Sequence, residues 1–419
     1  MITGLLISNS AYSQDTPDTH GINAKRYQEA MGKSDRGQPG QIHWGPLIIN
    51  PKLSEKVETD DNAFQVSAKG IALDGQRERK RSDITNTVSP GLRLTLPIRG
   101  GWWLPGKDHS LSADWKADYK NNRDNAQQNQ HNHFVKADAM FSFPHGFDVH
   151  FQDSYSDTFG ASGGETDNLH GVISNTFSTM ISLPDYFRTF DVDFTYENFD
   201  QQYDEKGLAR ANRNAHNFTL RVPHNLSPKV TIFPEYSYTI TEFQTSRVSD
   251  PQSDSHTNQI MAGIEWSATA RTTGSFKIGH TYMDFDDIDK HNVNTVTAIL
   301  GVTVDLSSRM DLRITAGRKP SIAEFTANSN ASINNSSRID LSRQLQKDWK
   351  VSLYVSFDKN TFLDSERKDH IFGIGFTSKY NINKWMNVDV QHSYKDRHVN
   401  FELQSDRINK SSVGINFAF

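Results

Sequence analysis

The chain has 419 residues, a net charge of -5 from 45 basic and 50 acidic side chains, and no cysteine. The missing cysteines exclude a disulfide scaffold and thiolate metal sites, and the near-neutral balance gives no support to nucleic-acid binding. No apolar run approaches the roughly 18 residues of a membrane-spanning helix.

Residues 1–13 read as a signal peptide that lacks its basic start. Leu5 to Ile7 are apolar, and Ala11, Tyr12 and Ser13 place small residues at the third and first positions before a cut. Residues 14–42 are polar, with one short helix possible over Ile22 to Met31. They read as a periplasmic segment or a partial plug, and the sequence leaves both open.

From residue 43 to 419 the chain becomes a succession of alternating runs. Val88, Pro90, Leu92, Leu94, Leu96 and Ile98 share one parity. So do Leu111, Ala113, Trp115, Ala117 and Tyr119, and further on Trp349, Val351, Leu353, Val355 and Phe357. Period two marks strands with one apolar face. About 18 such runs of roughly ten residues follow one another, the length that crosses a bilayer at a tilt. A strand of this kind shows lipid only every second side chain, so mean hydropathy stays low.

The connections alternate in length. Short ones, such as Pro144-His145, Thr269-Ala270, Ser307-Ser308 and Gln346-Lys347, take turns with long polar ones, such as Asp60 to Asp83, Thr241 to Ser255, Arg318 to Asn330 and Lys359 to Lys368. Aromatic residues gather at both ends of the runs: Trp102, Trp103, Phe143, Tyr186, Trp266, Trp349, Tyr380 and Trp385 by the short turns, and Tyr119, Tyr155, Tyr196, Tyr238, Tyr282 and Tyr394 by the long loops. Two aromatic bands are what two lipid interfaces select. The last run, Val413, Ile415, Phe417 and Phe419, resembles the closing strand and membrane-insertion signal of bacterial outer-membrane barrels. The fold expected is therefore all-β: a transmembrane, antiparallel, up-and-down barrel with short periplasmic turns and long extracellular loops, in the bacterial outer membrane. The lack of cysteine suits passage through an oxidising periplasm.

With the apolar parity toward lipid, the other parity lines the lumen. It includes Asp114, Lys116, Asp138, Asp148, His150, Asp193, Arg221, Glu235, Lys277, Asp311, Arg313, Arg338 and Asp389. So much charge does not suit a dry interior, where an unpaired ion costs several kcal/mol, and the circumference of so many strands leaves room for water. Phe134, Phe233 and Tyr354 share this parity. They are placed either to stack on sugar rings or to pack as props. His131 and His133 lack a fixed third ligand, and Asp284, Asp286, Asp287 and Asp289 lack the glycine and terminal glutamate of a calcium loop. No nucleophile elbow is present. No catalytic residue, cofactor or metal site is expected.

Two stretches carry a family likeness. Trp44 to Phe64, WGPLIINPKLSEKVETDDNAF, runs through a proline-containing apolar stretch to Asp60, Asp61, Asn62 and the aromatic Phe64; Asp83 to Leu94, DITNTVSPGLRL, carries Ser89, Pro90 and Gly91. They resemble a family of β-barrel porins whose members accompany exopolysaccharide and capsule synthesis loci. The resemblance implies a passive conduit for a secreted polysaccharide, working beside periplasmic or inner-membrane synthesis proteins and with no energy source of its own. The other partners expected are outer-membrane lipid, lipopolysaccharide and the barrel-assembly machinery. Two alternatives stand beside export: a general or small-solute diffusion porin, and a structural or adhesive barrel acting through its loops.

Overall fold

Side chains that alternate in and out along every strand need a closed sheet if both faces are to find a suitable solvent. A closed sheet also leaves no unpaired edge in the hydrocarbon. The computed structural model shows this solution. It describes residues 41–61, 82–99, 108–124, 126, 129–161, 169–184, 190–204, 211–244, 253–269, 271–287, 290–323, 329–363, 365–400 and 406–418. The expected signal peptide, most of the polar segment after it, Asn62, Phe64, Trp102, Trp103, Tyr186 and Phe419 lie outside the described residues.

In chain order the strands are β1 (Ile42–Trp44), β2 (Leu47–Asp60), β3 (Asp83–Arg99), β4 (Asp108–Asn122), β5 (Gln130–Ser142), β6 (Asp148–Ala161), β7 (Leu169–Leu183), β8 (Val192–Tyr203), β9 (Arg213–Arg221) and β10 (His224–Ser227). They continue as β11 (Val230–Phe243), β12 (Ser255–Thr269), β13 (Thr272–Phe285), β14 (Val293–Ser307), β15 (Met310–Ile322), β16 (Ala331–Gln346), β17 (Trp349–Phe362), β18 (Lys368–Asn381), β19 (Met386–Val399) and β20 (Asp406–Ala418). Each barrel strand pairs antiparallel with the next, and β2 pairs with β20 to close the ring. β10 carries on the course of β9 along β11 after an interruption at Val222 and Pro223. β1 lies along the start of β2, on the side that β20 occupies further up, so it fills the place beyond Ala418. Counting β9 with β10 and leaving β1 out, eighteen strands form the wall.

The strands are longer than the apolar alternation that marks them. β11 runs on through Thr241 to Phe243, β15 to Ile322, and β17 from Lys359 to Phe362, all read from the sequence as loop. The reason lies in the backbone. Hydropathy changes where the bilayer ends, but a ladder goes on exchanging N–H···O bonds while both strands remain opposite each other.

Faces follow from the registers. Val413 stands opposite Val390 and Val57, and Leu353 opposite Leu341 and Phe376, so the apolar sets form continuous outward rows. Their side chains are exposed, up to 65% at Ile260. Tyr119 meets His131 edge-on at 5.3 Å on this face, and Tyr196 stands beside His216 and Tyr238 beside His256 with Oη to Nδ1 distances of 2.9 and 3.1 Å. These pairs mark the long-loop border of the apolar band.

One region departs from the regular wall. The ladder between β14 and β15 stops at Ala298 and Arg318, while β15 and β16 stay paired up to Ile322 and Ala331. Above that level Met283, Phe285 and Val293, on the inward parity of β13 and β14, pack with Ala331, Ile333 and Ile322, on the outward parity of the next hairpin. Inner residues of one hairpin meeting outer residues of its neighbour means that the upper ends of β15 and β16 lean across the mouth.

Candidate functional site

The inward parity is rich in charge, and most of its charges face one of opposite sign. Asp114 faces Lys52 at 3.7 Å and Arg93 at 3.5 Å. Lys116 reaches Asp118 at 2.9 Å and lies 5.6 Å above the ring of Phe134. Asp138 stands between Lys136 at 3.5 Å and His150 at 3.4 Å. Asp148 is opposite Ser182, whose hydroxyl donates to Asp193 at 2.5 Å, and Asp193 is in turn opposite Arg221. Arg221 donates to Glu265 at 2.7 Å, and Lys277 to Glu235 at 3.1 Å. Arg338 grips Asp340 with three hydrogen bonds of 2.7–3.0 Å; Arg313 is opposite the same Asp340. Lys350 lies 3.9 Å from Asp311. Asp389 accepts from Gln391 and Asn416 at 3.1 and 2.6 Å.

All thirteen charged positions singled out from the sequence thus fall on one parity. What sequence reasoning missed is who partners whom, because partners such as Arg221 and Glu265 belong to strands two places apart. Compensation by the opposite sign matters physically: an isolated charge on a partly dehydrated wall is costly, while paired charges leave only short-range fields.

The wall is not equally wet along its length. Toward the short turns, Asp311 and Lys350 have side chains 44% exposed. Toward the long loops the inward residues are covered around the ring. Thr281 and Thr297, 2.7 Å apart through their hydroxyls, are each 1% exposed, and Asp369, held by Arg367 and Arg397 at 2.8 Å each, is at 0%. The lumen therefore opens toward the short-turn rim and fills in toward the long-loop rim.

Comparison with known proteins agrees with this architecture. The family model described as Putative beta-barrel porin 2 matches residues 37–419. The chain belongs to this porin family. No curated protein matches it. Among solved structures, OccAB2 of Acinetobacter baumannii is similar at a TM-score of 0.51 and 9% identity, covering 90% of this chain and 99% of that one. OccK2 (OpdF) of Pseudomonas aeruginosa is similar at 0.51 and 6% identity, covering 91% and 99%. At such identity the likeness is one of fold. The porin spans the bacterial outer membrane with its strands, its apolar parity toward lipid.

The two stretches that resemble the family have structural work in this porin. Asp61 accepts from the backbone N–H of Asn409 at 2.7 Å and from its side-chain amide at 2.6 Å. Asp60 and Glu58 both face Lys410, at 2.9 and 3.8 Å. The acidic end of the first long strand therefore clasps the last strand where the barrel closes. In β3, Ser89 and Pro90 have no ladder partner in β4, and proline has no N–H to give. The Ser89 hydroxyl donates instead to Asp118 at 2.5 Å.

Of the three inward aromatics, Phe233 and Tyr354 are packed against the wall itself. Arg221 covers Phe233 at 3.7 Å from the ring centroid, and Phe233 lies on Gly263, where a Cβ would collide with the ring. Arg338 covers Tyr354 at 4.0 Å, and that ring lies on Gly375 in the same way. A guanidinium over one side and a glycine backbone beneath the ring hold each flat against the wall, with little face left for a sugar. His131 and His133 point outward on β5. At the C-terminal strand, Val413, Ile415 and Phe417 lie on the outward parity, and Phe417 stacks on Trp385 at 6.1 Å.

Proposed function

We propose that this porin is a passive channel for small hydrophilic solutes. The observation that supports it is the gradient along the lumen: a wet, charge-compensated wall toward the short turns that closes in on Thr281, Thr297 and Asp369 toward the long loops. A conduit shaped in this way admits solutes of small cross-section; a polymer chain needs the long-loop end displaced first. Asp114, Lys116, Asp138, Asp148, His150, Asp193, Arg221, Glu235, Lys277, Asp311, Arg313, Arg338 and Asp389 line that conduit in this reading. Because most of these charges face one of opposite sign, selectivity by ion sign is weak and binding is loose, as passage requires.

The test is reconstitution of the full chain in planar bilayers, with swelling of proteoliposomes in mono- and oligosaccharides. Steady small conductance and swelling that falls with sugar size support the reading. A channel silent to salt and sugars overturns it.

Export of an exopolysaccharide is the second reading, favoured by the resemblance of residues 44–64 and 83–94. Deletion of the gene then leaves polymer inside the cell. Unchanged surface polysaccharide removes this reading.

A further inference from the structure

The lipid-facing side of the barrel is electrically lopsided. On β6 to β14 the outward parity carries Asp153, Asp157, Asp200, Glu242 and Asp284, and among the described residues no lysine or arginine. On β15 to β20 the signs reverse. Arg318, Lys359, Lys368 and Arg407 are outward there near the long loops, and the one outward carboxylate, Asp396, is engaged by Arg407 at 3.3 Å and by the Tyr394 hydroxyl at 3.2 Å.

The basic arc is compact. Arg318, Asn335, Lys359, His370 and His398 stand opposite one another in a single row across β15 to β19, and Lys368 lies on the next outward row of β18. At ~4.8 Å per strand the row spans about 20 Å. Arg318 donates only to neutral groups, to Asn335 Oδ1 at 2.9 Å on its own row and, over the end of the β14–β15 ladder, to Thr295 Oγ1 of the inward parity at 3.4 Å. His370 meets the ring of Phe357 at 6.1 Å. No carboxylate among the described residues stands within ion-pair distance of Arg318, Lys359 or Lys368. Glu366, in the turn before β18, is exposed. This contrasts with the lumen, where cations such as Arg221 and Lys277 are matched.

The level of the row names the occupant. Phe357 and Phe372, both exposed, are the last apolar outward residues beneath Lys359 and His370. Immediately above the hydrocarbon lies the headgroup layer. We infer that the arc of Arg318, Lys359, Lys368 and His370 is a binding site for the phosphate groups of an outer-leaflet glycolipid, its acyl chains lying on the apolar rows of β15 to β18. Arginine and lysine supply charge-assisted hydrogen bonds to phosphate oxygens. The acidic arc across the barrel repels the same groups, so the lipid binds on one side.

The experiment uses the full-length, folded barrel in detergent, stripped of lipid and examined by native mass spectrometry. The probes are bisphosphorylated lipid A, its dephosphorylated form, and inorganic phosphate. The wild type retains the phosphorylated lipid roughly tenfold better than the dephosphorylated one, a difference of about 1.4 kcal/mol. The K359Q/K368Q variant loses that preference, while K359R/K368R keeps it. Far-UV circular dichroism confirms that both variants are folded. Equal retention of the two lipids, an unaltered glutamine variant, or displacement of the lipid by equimolar inorganic phosphate each overturns the site. Conductance is unaffected in every case, because Lys359 and Lys368 are on the outward parity, so failure here leaves the channel reading standing.

Discussion

Asp61 and Asn409, 348 residues apart, are joined by three hydrogen bonds: the Asp61 carboxylate accepts from the Asn409 backbone and side chain, and the Asp61 N–H donates to the Asn409 carbonyl. They sit at the one ladder that cannot form until both ends of the chain are present. The β2–β20 pairing covers Lys52 to Asp60 only, fewer residues than the hairpins beside it. Asp61→Ala removes the two bonds that the carboxylate accepts and leaves the backbone one. The barrel is then expected to lose about 1–3 kcal/mol against urea or guanidinium in micelles, and Asp61→Asn less. Unfolding midpoints that match wild type would show that the seam does not depend on this clasp.

Arg221 is the centre of a second prediction. It is bonded to Glu265 and lies over Phe233, with a side chain only 7% exposed. Arg221→Ala strands a largely covered carboxylate and is expected to cost about 3–5 kcal/mol, whereas the apolar pair Arg221→Met with Glu265→Met costs much less. Equal destabilisation by both variants would contradict this account of the pair.

Gly263 beneath Phe233 gives a readout in conductance. Any side chain at 263 meets the Phe233 ring. Gly263→Val is expected to lift the ring off the wall, destabilise the barrel by about 1–3 kcal/mol and reduce single-channel current. A combined Gly263→Val, Phe233→Ala variant should regain current. Unchanged current in the single variant would place this ring outside the path.

The two faces can be distinguished on one strand. Leu353 is outward in the middle of the apolar run of β17 and 51% exposed, and Ser352 next to it is inward. Leu353→Arg is expected to cost about 2–4 kcal/mol in lipid, while Ser352→Arg stays near neutral and changes ion selectivity instead. A reversal of the two costs, measured by folding into vesicles, would invert the barrel.

The end of the chain carries an assembly prediction. Phe417 packs on Trp385 at the short-turn border. Phe417→Ser should lower the amount of heat-modifiable barrel in outer-membrane fractions far more than Asn416→Ser. Equal levels of both would separate the final strand from any role in delivery.

How much of this was legible in the sequence depends on the range of the signal. Parity is local, so period two alone placed Asp138, Glu235 and Lys277 on one face and Val413, Ile415 and Phe417 on the other. Register is not local. Nothing along the chain tells that Lys410 meets Asp60, or that Arg221 passes over Phe233 to Glu265. Strand ends were misread for a related reason: Lys359 and Thr361 look like loop by hydropathy, yet their backbones stay bonded to β16 and β18. The inward lean of β15 and β16 left no trace in the pattern, because Ile333 and Ile322 keep their outward parity and only the wall around them bends.

The overrun of the strands has a consequence for the cell surface. From Asp358 to Phe362 alone, β17 adds about 16 Å of strand beyond its last band residue, at ~3.3 Å each. Between the bilayer surface and its loops this protein therefore carries a hydrogen-bonded collar of strand. Epitope tags inserted into that collar would break hydrogen bonds on both sides, and the safe places for cargo are confined to the tips.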